Sequence, residues 1–595
     1  MPKNTPSIKY TSRNFDSIKN DLLEYARRYY PTTFRDFSEA SFGAMMVDMV
    51  AYVGDILSFY LDYQANECFL DTATEYDNIV KLAKQFGYKF NSTNISQGVL
   101  SLYITIPADG SGAPDEKYMP IIKKGSQFES GEGATFVLTE DVDFADEDND
   151  IVVANTNAVG NPTDYAIKTV GRVMSGQLKV TAKSIGSFEK FKKIKLGDNK
   201  ISEVVSITDS EGHEYFEVEH LSQNVVYMPV RNKAADKTKV PSLVKPFVVP
   251  RRFVVEHDRE STYVQFGYGS DSQLKNQSIA DPCDIVLDTH GRNHITDRSF
   301  DPTKLISSDK FGVAPSNTTL NIVYRLNESA NVNASTDSVT SIMASFFEFT
   351  NPSELNPNLI SNVESSLECT NEDPIVGDTS LPTAFELKQR IKNHYFAQNR
   401  AVTSQDYQTL IYAMPSKFGA IKKCIIIQDK DSFRRNLNLY VISEDRNGKL
   451  IQSSSSLKSN IKTWLSGYKM VNDTIDILDA KIINLGIEYT VKVEQGASRY
   501  DVVTVCNNLV RDYYRSAREI GEHVFVTDVY KLLNSVRGVI DTIDVKIVSK
   551  VGSQYSDVYL DINSNLSSDG TKLFIPNDCI AEFKFPSTDI KGIVK

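Results

Sequence analysis

Three places in the sequence bring together residues that could do chemistry. His290 and His294 lie four positions apart with Asp288 nearby, and on a helix two imidazoles at that spacing share a face, as zinc ligands do. The intervening Gly291, Arg292 and Asn293 oppose a helix, so an ordinary polar loop is the better reading. The run DVDFADEDNDI, residues 141–151, clusters carboxylates as calcium requires. If Asp146 opened an EF-hand loop, Ile151 would stand where glycine is needed and Asn157 where a bidentate glutamate is needed. A solvated acidic hairpin or partner-facing loop therefore fits better. In FGYGS, residues 266–270, Gly267 and Gly269 could let a phosphate approach the backbone. The third glycine of a dinucleotide fingerprint is missing and no periodic helix follows, which favours a tight turn after the strand STYVQF.

No GxSxG, GxxxxGK[ST] or HExxH pattern occurs. Acidic pairs such as Asp473 and Asp476 arise by chance among 77 acidic residues, and His394 and His523 are each isolated. Cys68, Cys283, Cys369, Cys424, Cys506 and Cys579 are too widely spaced for a zinc site and read as reduced, mostly buried thiols in a cytoplasmic setting. The sequence thus nominates no catalytic, cofactor-binding or metal residue, and an enzyme is not expected.

Basic residues number 65 against 77 acidic, a net charge of −12, the wrong sign for a surface that tracks nucleic-acid phosphates. No stretch reads as the ~20 uninterrupted apolar residues that span a bilayer, and the start MPKNTPSIKYTSRNF lacks a signal-peptide core. Neither direct nucleic-acid nor direct membrane binding is expected. A length of 595 residues exceeds one core and predicts several domains.

The pattern predicts a multidomain α+β chain. Residues 1–95 form a helical segment: Phe15, Ile18, Leu22, Tyr25 and Tyr29 recur at helical spacing up to Pro31, then Met45, Met49, Val53, Ile56, Tyr60 and Gln64 do the same. Thr72 and Glu75 have capping-box spacing ahead of a third helix that Gly87 stops. The second helix is apolar around much of its girth, so it should pack against another chain, with an intramolecular core as the alternative. Residues 96–326 alternate with period two and form a β-rich middle. Residues 327–382, rich in Asn, Ser, Thr and Pro, read as a linker. Residues 383–480 and 481–562 share a helix, helix, strand, strand order and predict tandem duplicated α/β sandwich modules. Residues 563–595 read as an unassigned tail.

RAVTSQDYQTL, residues 400–410, following FELKQRIKNHYFAQN and preceding FGAI, resembles the hallmark of baseplate J-like wedge proteins of contractile-tailed bacteriophages and related injection systems. The matching positions are Arg400, Ala401, Val402, Thr403, Asp406 and Tyr407, read as fold-signature residues. Residues 34–89 resemble the helical start of that family. VQFGYGS resembles its FGDG-type turn, keeping Gly267 and Gly269 but carrying Tyr268 where an acid is usual. The resemblance implies a structural wedge subunit of the virion tail baseplate, assembled in the host cytoplasm. Its implied partners are a second copy, other wedge proteins and neighbouring wedges, with the central hub and sheath-initiating proteins nearby. Its helical bundle would use Phe42, Met45, Met49, Val53, Ile56 and Tyr60, and the ring would rearrange to trigger sheath contraction. No cofactor is implied. Rival readings are the same role in a bacterial injection system, a β-rich glycan hydrolase with paired carboxylates in an aromatic cleft, and a receptor-binding adhesin.

Overall fold

Asn14 and Ser41 each offer a side-chain oxygen to the third residue on, to Ser17 N at 3.2 Å and Ala44 N at 3.1 Å, and these caps begin the first two helices. The computed structural model describes residues 14–30, 32, 41–110, 112–147, 149–157, 160–198, 200–231, 242–259, 261–270, 311–327, 331–429, 436–515 and 518–595. The chain divides into two units, residues 1–90 with 382–396, and residues 91–381 with 397–595. His290, His294, Asp288, Cys283 and Pro31 lie outside the described residues.

In the first unit, helix α1 (Phe15–Tyr29) packs along α2 (Phe42–Glu67). Steps of four and three along α2 pick out Ala44, Asp48, Ala51, Asp55, Ser58, Asp62 and Ala65, the spacing of a two-helix seam. Ala44, Ala51 and Ser58 are buried in it. Asp48 meets Lys19 of α1 at 2.8 Å, and a Cβ at Gly54 would stand 3.3 Å from the Ile18 side chain. The seam is therefore made of small and acidic residues, a pattern that the large-residue stripe hides in the sequence.

Helix α3 (Tyr76–Gln85) buries Ile79, Val80 and Ala83. Helix Ala384–Ala397, expected in the first α/β module, contributes its residues up to Phe396 to this unit, with Leu387 and Ile391 buried. Tyr88 packs edge-on against His394 and Phe86 against Tyr395. The expected Thr72 capping box does not form. Thr72 donates its hydroxyl to Asn66 O at 2.6 Å, and Glu75 is the N-cap residue without a side-chain bond. Glu67, buried at the end of α2, instead ties down the chain leading into α3: its carboxylate accepts Thr74 N at 2.7 Å, the Thr74 hydroxyl at 2.6 Å and Asn78 Nδ2 at 3.0 Å. The start of α3 is held by a residue of the preceding helix, which local spacing does not reveal.

In the second unit, one sheet runs in the order Val339–Ala344, Gln127–Ser130, Thr135–Leu138, Pro162–Ser175, Gln97–Pro107, Glu368–Thr370, with Asp150–Thr156 also paired to Pro162–Ser175. Leu100, Leu102, Ile104, Phe128, Phe136 and Phe144 fill its core. The segment 327–382 is thus no linker. It supplies two of these strands and the helix Pro357–Ser365, whose Val363 is buried in the same core. Its asparagines act as backbone surrogates: buried Asn371 accepts Ser338 N and Val339 N and donates to Ser335 O and Asp373 O, all within 3.0 Å.

A second sheet runs Gln177–Ile185, Thr318–Leu326, Ile201–Thr208, Glu214–Glu217, Arg252–His257, Thr262–Phe266, Lys193–Lys195, around Ile207, Phe253, Val264 and Ile322. Two smaller sheets follow. Leu437–Glu444 lies between Lys423–Gln428 and Ile475–Asp479, with helices Ser404–Tyr412 and Ser455–Ser466 packed beside them. Lys481–Val493 pairs with Val539–Ser549, Cys579–Glu582 and Ile590–Val594, with helices Arg499–Tyr513 and Val526–Asn534. The tail 563–595 therefore completes the last sheet through two parallel strands. Residues 556–562, SDVYLDI, expected as the last strand of the second module, form no strand. The chain is α+β throughout, a helical start followed by β-rich and mixed parts.

Burial pushes the Glu67 carboxyl up, but the bonds from Thr74, Asn78 and Glu75 outweigh it and hold it down at about 2. A depressed carboxylate stabilises the fold above its unfolded value near 4.3, and that contribution is lost as pH falls from there through 2. Glu67→Gln is expected to cost about 1.5–3 kcal/mol at neutral pH. It should also flatten the acid dependence of amide exchange in α3 between pH 5 and 2.5. Unchanged exchange at both ends of that range would contradict this role.

Candidate assembly surface

With the seam of α2 given to small residues, its large side chains face outward. Phe42, Met49, Val53 and Tyr60 are 74%, 57%, 54% and 61% exposed. Met45, Met46, Val50, Tyr52, Leu57, Phe59 and Leu61 are exposed too, and Ile56 is half-buried. Within this chain, then, none of the six residues expected in a bundle is fully covered. Monomers seldom leave so long an apolar strip to water, and such a strip marks a protein or membrane contact.

α2 is also long and apolar enough to cross a membrane by length and composition, at 26 residues and mean hydropathy 1.4. No such stretch was expected, because Asp48, Asp55 and Asp62 interrupt the apolar run.

The signature residues lie in the second unit. Thr403 caps helix Ser404–Tyr412 through a complete capping box: Asp406 N donates to Thr403 Oγ1 at 3.2 Å and Thr403 N to Asp406 Oδ2 at 2.8 Å. Val402 N joins the same carboxylate at 3.2 Å. Ahead of it Gln398 and Asn399 adopt left-handed backbone, with φ of 50° and 57°, and Ala401 N donates to Tyr468 O at 3.0 Å. Tyr407 is buried and hydrogen-bonds Asp473; burial and that carboxylate push its hydroxyl pKa up. Arg400 and Val402 are exposed. Gly267 and Gly269 sit elsewhere, against Gly312. A Cβ at Gly267 would come within 2.1 Å of Gly312 O, and Gly269 N donates to that oxygen at 2.9 Å. The turn needs glycine at 267 for close approach of two backbones. These residues are not brought to one site.

A polar cleft of about 600 Å³ is lined by Ser453, Ser454, Lys458, Asp479, Asn484 and Glu582, among others. Its charges engage one another: Lys458 Nζ meets Asp479 at 2.6 Å, and Glu582 accepts Leu450 N and Asn484 Nδ2. Burial pushes the Glu582 pKa up. Among the described residues, no group of three or more His, Cys, Asp or Glu could hold a metal ion. Cys68 is exposed, whereas Cys369, Cys424, Cys506 and Cys579 are buried.

Residues 14–85, the span that holds α1, α2 and α3, match the family model described as bacteriophage baseplate protein, N-terminal domain. This segment is similar to a baseplate protein's N-terminal domain, and the match covers these residues alone. A comparison with curated proteins gives no match. Among solved structures, a chain of the anti-feeding prophage (AFP) baseplate is 10% identical, with 96% of this chain and 98% of that one covered and a TM-score of 0.27. A chain of the type VI secretion system TssK-TssF-TssG baseplate subcomplex is 9% identical, with 73% and 96% covered and a TM-score of 0.24. At such scores neither likeness bears on fold or role.

Two substitutions test the signature residues as fold elements. Thr403→Ala should cost about 1 kcal/mol, most of it recovered by Thr403→Ser. Gly267→Ala should cost about 1–3 kcal/mol and speed amide exchange in Thr262–Phe266. Wild-type exchange rates in both regions would contradict the reading.

Proposed function

We propose that this chain is a wedge subunit of a contractile-tail baseplate, and that the outward face of α2 is where it joins a second copy and other wedge proteins. The observation that carries this reading is the allocation of residues on α2. Its covered seam is small and acidic, its bare face is large and apolar, and the baseplate domain match spans the same residues. Burying side chains such as Phe42, Met49 and Tyr60 contributes about 1.5–3 kcal/mol each, enough to hold helices from separate chains together.

A bilayer would cover the same face, but Asp48, Asp55 and Asp62 argue for protein. Each carboxylate at mid-membrane costs about 2.5–3.5 kcal/mol or more, whereas a helix bundle leaves them on the α1 seam. The role is mechanical and needs no catalytic residue or cofactor. Subunits packed through such faces have two discrete arrangements, and a signal from the tail periphery that favours one of them would widen the ring and release the sheath. The hub and sheath-initiating proteins are then neighbours, in a virion tail assembled in the host cytoplasm or in a related injection system.

Met49→Asp or Val53→Asp would bury an unpaired charge in the bundle. The variant chain should fold, keeping the slow exchange of its second unit, and the yield of complete baseplates should drop about tenfold or more. Normal yield with the variant incorporated would contradict the proposal, and binding of the wild-type chain to anionic vesicles without protein assembly would favour the membrane.

A further inference from the structure

Strand Asp150–Thr156 lies at the rim of the first sheet of the second unit, and among the described residues its only ladder is with Pro162–Ser175, from Asp150 opposite Lys168 to Thr156 opposite Pro162. All seven of its residues are exposed, so both faces as well as the outer edge meet water. Ile151, Val152 and Val153 are 44%, 63% and 46% exposed. A strand in this position is a template for another strand, and proteins usually guard it with lysine or proline. The rim strand Gln177–Ile185 of the other large sheet follows that rule with Lys179 and Lys183. Asp150–Thr156 has no Lys, Arg or Pro, and its centre reads Ile, Val, Val, Ala.

Charge narrows the choice of occupant. The turn leading into the strand exposes Asp143, Asp146 and Glu147, and Asp150 opens the strand itself. The basic residue in register with Asp150, Lys168, is taken by Glu372 at 2.5 Å, and Lys123 is taken by Asp141 and Glu348. The edge therefore presents apolar side chains beside surplus negative charge. We propose that Asp150–Thr156 is a docking edge that accepts, as an added strand, an extended segment of a partner protein in which apolar residues alternate with Lys or Arg. Main-chain bonds would supply affinity, and alternate side chains and charge the selectivity. This surface lies apart in sequence from α2, and the inference does not rest on the reading of that helix.

The test uses the full chain and synthetic peptides as long as the strand. A peptide of alternating lysine and valine should slow amide exchange across residues 151–155. A peptide of alternating glutamate and valine, or of lysine and glycine, should not. Val152→Lys, which installs the missing guard on a side chain already in water, should weaken lysine–valine binding about tenfold. Asp150→Asn with Glu147→Gln should weaken it and reduce its salt dependence. The proposal is overturned if the lysine–valine peptide leaves exchange unchanged, if the glutamate–valine peptide binds equally well, or if Val152→Lys has no effect. It is also overturned if these amides exchange slowly in the chain alone while its mass is that of a dimer, since a second copy would then hold the edge.

Discussion

Water's exclusion from the outer face of α2 is the constraint on which the account turns. Among the described residues α2 packs against α1, to which it turns a face of alanine, serine and aspartate. Large side chains at those positions would hold the helices apart; small ones bring the backbones close and keep Phe42, Met49, Val53 and Tyr60 for another surface. Under the proposed function the hydrophobic effect favours association through that face. α1 itself has no buried residue, so this end of the chain gains little from its own packing.

The second unit follows the opposite logic. Its larger sheets pack over buried apolar cores, and several buried polar side chains bond segments far apart in sequence. Asn333 accepts from Ser96 Oγ and Asp378 N and donates to the carbonyls of Asp378 and Glu444. Buried asparagines that replace backbone partners fix segments far apart in sequence with little tolerance for slippage.

Much of this was legible in the sequence, for physical reasons. Period-two runs such as TLNIVYRL and KIINLGIEYTVKV became strands because each has one dry face. Thr403 and Asp406 formed their capping box because both partners lie within one helical turn. Long-range decisions were not legible. Residues 327–382 look like a linker because their polar side chains bond backbone from distant strands, and composition does not reveal a distant partner. The tail 563–595 pairs in parallel with Lys481–Val493, a strand far earlier in the chain. Thr72 turns its hydroxyl to Asn66 O, and Glu67 of the preceding helix holds the start of α3 in its place. The small-residue seam of α2 was written in plain heptad spacing, yet the louder stripe of methionines and aromatics masked it.

The central claim is that the bare face of α2 is covered in the assembled particle. Hydroxyl-radical footprinting tests it directly, because Met45, Met46 and Met49 stand on that face and Met343 and Met470, both 50% exposed, serve as references in the other unit. The account predicts rapid oxidation of Met45, Met46 and Met49 in the isolated chain and strong protection in assembled baseplates. Equal oxidation of these three methionines in the free chain and in the particle would contradict it.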